Sequence, residues 1–138
     1  MAIAISDTEE YRGALEAQLK RHASQPVSLV IVNDVAEWAK SGVKDASGNP
    51  MAMAVVEHPS GAWRIVMRRE MSEERIRGVL DRLFFGGYLK AEELLQEPRV
   101  FLEHLVLHEL AHLQNKWGQD REEDCDEWAF ERLQLAAI

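Results

Sequence analysis

The spacing of apolar residues predicts a helix at the start of the chain. Every fourth residue is apolar from Tyr11 to Leu19, which is the period of a helix with one buried face. Ser6 followed by Glu9 forms a capping box just ahead of this pattern. We therefore predict a helix from Asp7 to about His22.

Two kinds of strand pattern follow. Val27 to Val32 is a run rich in β-branched residues, typical of a buried strand. Met51 to Glu57 and Ala62 to Arg68 are apolar runs on either side of a Pro-Ser-Gly turn signal, which predicts a β-hairpin. In the second run Trp63, Ile65 and Met67 face one way and Arg64, Val66 and Arg68 the other, which suits an edge strand that can pair with an extended peptide. An ordinary sheet with one solvated face is the alternative. The polar stretch Ser41 to Pro50 is typical of a surface loop.

The second half of the chain has the period of helices. Ser72 caps a helix that ends near Gly86, and a second helix runs from about Arg99 to Asn115 or Trp117. Asp120 is placed to cap a last helix, from about Arg121 to Ala136. The order of elements predicts an α+β fold, with a small antiparallel or mixed β-sheet packed against helices. At 138 residues, the whole chain, 1–138, is expected to be a single domain.

His108, Glu109 and His112 form an HExxH motif inside the longest of these helices. Two histidines four residues apart project from one helix face, so both rings can bind one zinc ion. The surrounding residues are mostly apolar, which predicts that the helix is buried on most sides. The alternative is a pair of core histidines bonded to backbone carbonyls and a glutamate in a buried ion pair.

A zinc site of this kind needs a third protein ligand. The acidic segment 120–127 supplies six carboxylates, most of them expected at the surface. Helical periodicity places Glu122 and Asp126 on the same face as Cys125 and Ala129, which is the face expected to be buried. Glu122 and Asp126 are therefore the two candidates for the third ligand.

For two further residues near the motif, the sequence gives a less specific prediction of their role. His104 shares the helix face of His108 but lies too far along the axis to bind the same ion as His112, so a core or orienting role is favoured. Cys125 reads as a small buried apolar residue, with a soft zinc ligand as the alternative.

Composition excludes several classes of partner. The net charge of −8 argues against nucleic-acid binding, because such a protein repels phosphate at long range. The apolar first residues lack the basic region of a signal peptide, and no run is long enough to span a membrane. The single cysteine agrees with a reducing compartment. We expect a soluble, cytoplasmic protein that does not bind membranes.

The motif together with Glu122-x-x-x-Asp126 resembles the gluzincin clan of zinc peptidases, and the short chain is most similar to the minigluzincins. The resemblance implies a zincin-like fold, in which a glutamate-bearing helix follows the HExxH helix. It implies Zn²⁺ ligation by His108, His112 and Glu122. It also implies that Glu109 is the general base and that Asp126 orients a zinc-binding histidine.

One feature of the larger gluzincins is missing. They carry a tyrosine or histidine beyond the glutamate helix that stabilises the oxyanion, whereas no Tyr or His follows Asp126. Arg132, His58 and Tyr88 are the candidate substitutes. Loss of such a donor typically lowers the rate by about two to three orders of magnitude, so a weak or latent enzyme is expected.

The sequence therefore predicts a zinc-dependent peptidase that hydrolyses peptide bonds through a zinc-bound water activated by Glu109, weakly active or latent. The alternative is a catalytically silent zinc-binding interaction or regulatory module on the same fold, although such a module has no chemical need for Glu109. The expected partner is a peptide or protein substrate. We also expect the cleft to be covered by the chain ends, Met1 to Ile5 or Leu135 to Ile138, or by a homo-oligomer.

Overall fold

The computed structural model describes residues 3–40, 46–49 and 51–136 of the chain. These residues form an α+β fold of helices and one sheet, as predicted. The α-helices are α1 (Arg12–His22), α2 (Val35–Ala39), α3 (Glu73–Phe85), α4 (Ala91–Leu94), α5 (Pro98–Asn115) and α6 (Glu122–Leu133). The strands are β1 (Val27–Val32), β2 (Ala46–Asn49), β3 (Ala52–Val56) and β4 (Trp63–Arg68).

The sheet is mixed, with its strands in the order β1-β4-β3-β2. β3 and β4 form the predicted antiparallel hairpin, and β1 pairs with β4 in parallel. The prediction of an edge position for β4 is therefore wrong, because β4 has a neighbour on each side. The prediction of a loop over Ser41 to Pro50 is wrong for Ala46–Asn49, which pairs with β3 as an edge strand; residues 41–45 and 50 lie outside the described residues.

The main core lies between one face of the sheet and the helices. Ile65 and Met67 of β4 are fully buried on this face, and every residue of α5 from Phe101 to Leu113 is buried. The predicted burial of the motif helix is confirmed. Val66 points to the opposite face, where it joins a smaller apolar cluster with Val35 of α2. The alternation along β4 thus serves two apolar clusters rather than one core and one solvated face.

Two predicted helix starts are wrong in detail. Asp7, rather than Ser6, caps the first helical segment, since its carboxylate accepts a hydrogen bond of 3.0 Å from the Glu9 amide. A 3-10 turn over Thr8–Tyr11 precedes α1. Asp120 does not cap α6, because a 3-10 turn, Gln119–Arg121, leads directly into the helix without a side-chain cap. No helix in the described ranges is long and apolar enough to cross a membrane.

The chain turns back on itself between α5 and α6. Lys116 adopts a left-handed conformation with φ of 56° just after α5, and the Trp117 amide then donates to the His112 carbonyl at 3.1 Å. Such a left-handed residue ends a helix and satisfies its last carbonyls. α6 then packs against α5. This tight reversal explains how a connection of only six residues, 116–121, returns the acidic helix to the histidine face.

Capping of α3 gives a measurable test of the fold. Ser72 Oγ accepts a hydrogen bond of 3.2 Å from the Arg75 amide, as the sequence predicted. Ser72→Ala is expected to lower the free energy of unfolding by about 1 kcal/mol, because one amide at the helix start loses its partner. Urea titration followed by circular dichroism measures the change. Ser72→Asp retains a capping oxygen and is expected to remain within about 0.5 kcal/mol of the wild type.

Candidate metal centre

Three histidines of α5 face two carboxylates of α6. His104, His108 and His112 are spaced by one helical turn each, so they line one face of α5. His112 lies beside Glu122, whereas His104 lies beside Asp126. The two helices therefore run antiparallel along this contact. All five side chains that the sequence singled out as catalytic, ligating or orienting come together between these helices or next to them.

The Glu122 carboxylate contacts both motif histidines. Its Oε2 lies 2.7 Å from Nε2 of His108, and its Oε1 lies 3.0 Å from Nε2 of His112. The second contact does not have the geometry of a hydrogen bond. Burial favours the neutral acid, but the two histidines outweigh it and lower the pKa of Glu122 to about 2. Two imidazole nitrogens and one carboxylate thus converge on one point, with about a third of the Glu122 side chain exposed.

The opposite nitrogen of each ring is held by a separate partner. His108 Nδ1 donates to Asp126 Oδ1 at 2.6 Å, and His112 Nδ1 donates to the Trp117 carbonyl at 2.8 Å. These bonds direct both Nε2 atoms toward Glu122. Hydrogen bonds of this kind fix the orientation of histidines that bind metals. Burial lowers the pKa of His108, but Asp126 and Glu122 outweigh it and raise the pKa to about 10, so the metal-free ring is a cation.

Glu109 is the third polar group of the motif. The side chain is fully buried, and neither carboxylate oxygen has a hydrogen-bond partner among the described residues. Its Oε2 lies 4.0 Å from Nε2 of His108. Burial raises the pKa of Glu109 to about 8. A buried carboxyl group without hydrogen-bond partners lowers the stability of the fold. Water or a ligand bound next to the histidines would provide the missing hydrogen bonds.

Asp126 is the centre of a buried network. Besides His108, its Oδ1 accepts from His104 Nε2 at 3.2 Å, and its Oδ2 accepts from Arg82 of α3 at 2.8 Å. Burial favours the neutral acid, but His104 and His108 outweigh it and hold the pKa of Asp126 far below its usual range. The sequence reasoning missed Arg82, although a buried aspartate needs a cation and Arg82 is the basic residue in the last turn of α3.

Cys125 also reaches this region. It is fully buried, and its Sγ lies within 4.8 Å of a ring nitrogen of His108 and of His112. Burial raises the pKa of its thiol. The residue therefore belongs both to the apolar core, as predicted, and to the surroundings of the motif histidines.

The candidate oxyanion donors are engaged elsewhere. The Arg132 guanidinium lies over the Trp128 ring, 4.2 Å from its centroid. The Tyr88 hydroxyl donates to the Glu123 carbonyl at 3.3 Å. His58 lies in the turn between β3 and β4. None of these contacts directs a donor toward Glu122 or the motif histidines.

The side chains present fit a metal ion. Two buried groups, His108 with His112 and Cys125, and His104 with His108 and Asp126, have ligand atoms close enough to hold one. Nitrogen, carboxylate and thiolate ligands in a tetrahedral arrangement are those that zinc prefers. The second group is less suitable, since Arg82 already neutralises Asp126.

Comparisons with known proteins do not add to this picture. No protein-family model matches the chain, and no curated protein or solved structure is significantly similar to it. The interpretation therefore rests on the motif and on the geometry of α5 and α6.

Proposed function

We propose that the protein is a zinc-dependent peptidase, with His108, His112 and Glu122 as the zinc ligands. The observation that carries this proposal is the contact of one carboxylate with the Nε2 atoms of both motif histidines. Asp126 occupies the other side of His108, which supports an orienting role for it and favours Glu122 as the third ligand. Two histidines and a glutamate are a known ligand set of catalytic zinc.

Glu109 is the general base in this proposal. Bound zinc would polarise the peptide carbonyl and acidify the attacking water. Glu109 lies beside His108 and has no hydrogen-bond partner among the described residues. The positive charge of bound zinc would favour its ionised form, which would take the proton of that water and pass it to the leaving amine. Because Glu109 is fully buried, the reaction would take place where electrostatic interactions are strong.

A second candidate function is a catalytically silent zinc-binding module. It is favoured by the engagement of Arg132 with Trp128 and of Tyr88 with Glu123, which leaves neither of them as an oxyanion donor. The buried carboxyl group of Glu109, which has no hydrogen-bond partner among the described residues, favours the peptidase, because a silent module gains nothing from such a costly group.

Zinc stoichiometry is the first test. The purified wild type is expected to bind one zinc ion per chain, as measured by metal analysis after dialysis against zinc-buffered solution. His112→Ala and Glu122→Ala each remove a ligand and are expected to contain less than one zinc under the same conditions. Glu123→Ala, an exposed neighbour in the first turn of α6, is the matched control and is expected to bind as the wild type does.

Hydrolysis of casein or of a peptide library then separates the two functions. Zinc-dependent cleavage that disappears with a chelator and returns with added zinc supports the peptidase. One zinc per chain without cleavage, both in the wild type and in a variant that lacks the Cys125 thiol, favours the silent module. A wild type that binds no zinc contradicts both.

The two ends of the chain are the candidates to cover the proposed zinc site. Cover by the chain ends stays a prediction: Ile5 pairs with Met71 and Leu135 packs on the main core, while residues 1–2 and 137–138 lie outside the described residues. The homo-oligomer likewise stays a prediction. Truncation of either end is expected to raise hydrolysis if that end covers the site.

A further inference from the structure

Cys125 is a buried thiol that the proposed function leaves unused. Its Sγ lies within 4.8 Å of a ring nitrogen of each motif histidine. It follows Glu122 by three residues, so the two side chains lie on the same face of α6, which packs against α5. The thiol therefore lies near the two histidine rings that the Glu122 carboxylate also contacts.

A separate observation also points to a ligand at this place. Nε2 of His112 has no hydrogen-bond partner among the described residues, although only 4% of the residue is exposed. The Nδ1 atom already donates to the Trp117 carbonyl, so the ring is fixed with Nε2 directed toward Glu122. Its 3.0 Å contact with Glu122 Oε1 is an ion pair without hydrogen-bond geometry, and a metal ion held between the two groups would bind this nitrogen directly.

We propose that Cys125 is a fourth ligand of the zinc ion, which closes a centre formed with His108, His112 and Glu122. This inference rests on the zinc site of the proposed function. The zinc–sulfur bond forms as the S–H bond breaks and the thiol proton passes to solvent, so no oxidant or reductant is needed. Zinc–sulfur and zinc–nitrogen bonds together span at most about 4.4 Å, so a sulfur within 4.8 Å of these nitrogens reaches the ion with little or no movement of Cys125.

Four protein ligands change what the centre does. Zinc sites closed by four side chains are structural, whereas catalytic sites keep one position for water or substrate. With Cys125 bound, the centre holds zinc firmly but has no position for the attacking water. The protein is then latent until the thiolate leaves the ion, and a variant without the thiol is expected to hydrolyse peptides faster than the wild type.

X-ray absorption at the zinc edge tests the ligand directly in the zinc-loaded protein. The wild type is expected to show a zinc–sulfur distance of about 2.3 Å beside nitrogen and oxygen ligands at about 2.0–2.2 Å. Cys125→Ser is expected to lose the sulfur contribution, and its Kd for zinc is expected to rise by at least about tenfold, since even residues that only orient ligands contribute that much. Ala129→Ser, which adds a hydroxyl one turn later on the same buried face, is the matched control and should retain the sulfur contribution.

The outcomes distinguish this inference from the function on which it rests. A wild type with one zinc ion and only nitrogen and oxygen ligands overturns the role of Cys125 and leaves the peptidase proposal intact. A wild type that binds no zinc overturns both. If Cys125→Ser fails to fold, the wild-type spectrum still decides, because the presence or absence of sulfur is read from that protein alone.

Discussion

Glu109→Gln is expected to lower the rate of peptide hydrolysis by about a hundred- to ten-thousand-fold while the protein retains one zinc ion per chain. Glutamine has nearly the shape of glutamate, but its amide cannot take a proton from water. The measurement is kcat/KM for a cleaved peptide, in the wild-type and Cys125→Ser backgrounds, together with zinc content. The loss should appear mainly in kcat, because Glu109 acts on the reacting water rather than on substrate binding.

The same substitution carries an expectation for stability. Both oxygens of Glu109 are buried without partners among the described residues and burial raises its pKa to about 8, so glutamine replaces a mainly neutral acid and should leave the free energy of unfolding of the metal-free protein at about pH 7 nearly unchanged. Glu103→Gln is the matched control, because Glu103 is also a buried glutamate of α5 but accepts hydrogen bonds from Gln18 and Arg99 away from the motif. It is expected to keep full hydrolysis. Equal loss of activity in both variants would contradict the role of Glu109.

Local patterns were sufficient to predict much of the candidate site. His108 and His112 share a face because of helical periodicity alone, and the apolar residues around them indicate burial without knowledge of the fold. Periodicity likewise placed Glu122 and Asp126 on the inner face of α6. Sequence left open which of them faces the two Nε2 atoms, since that depends on the tight turn at Lys116 and Trp117.

Partners that come from distant parts of the chain were not predictable. Arg82 lies 44 residues before Asp126, and no local pattern joins α3 to α6. Trp128 and Phe130 lie off the predicted apolar face of α6, yet both are buried. Trp128 contacts His22 of α1 and Phe130 contacts His104 of α5, so α6 is buried on more than one side.

The sheet shows the same limit. The hairpin of β3 and β4 is local and was predicted, but the parallel pairing of β1 with β4 joins residues far apart in the chain. This pairing is what makes β4 an internal strand. The strand β2 has the sequence Ala-Ser-Gly-Asn, which lacks strand-forming side chains, so its pairing with β3 was not visible in the pattern.

Asp126→Asn is expected to give the largest change in the stability of the metal-free protein, a loss of about 3 kcal/mol in the free energy of unfolding. Asp126 is 1% exposed and accepts hydrogen bonds from His108, His104 and Arg82. Removal of its charge leaves the hydrogen-bond donors and cations around it without a counter-charge. Removal of only one partner of a buried ion pair is strongly destabilising for this reason. Urea unfolding in the presence of a chelator measures this loss.

Asp126→Asn should also weaken zinc binding, for a different reason. Asparagine can still contact His108, but it no longer provides the negative charge that fixes the ring and raises its affinity for the metal, so the Kd for zinc is expected to rise by about 10- to 100-fold. Asp124→Asn is the matched control, because Asp124 lies on the same helix and pairs with Arg121 at the surface. A surface ion pair contributes about 0–1 kcal/mol, so this variant should change the free energy of unfolding by no more than that amount. Its Kd for zinc should be the same as that of the wild type. If Asp126→Asn lowered stability without changing the Kd for zinc, the network around Asp126 would support the fold but would not orient His108 toward the metal.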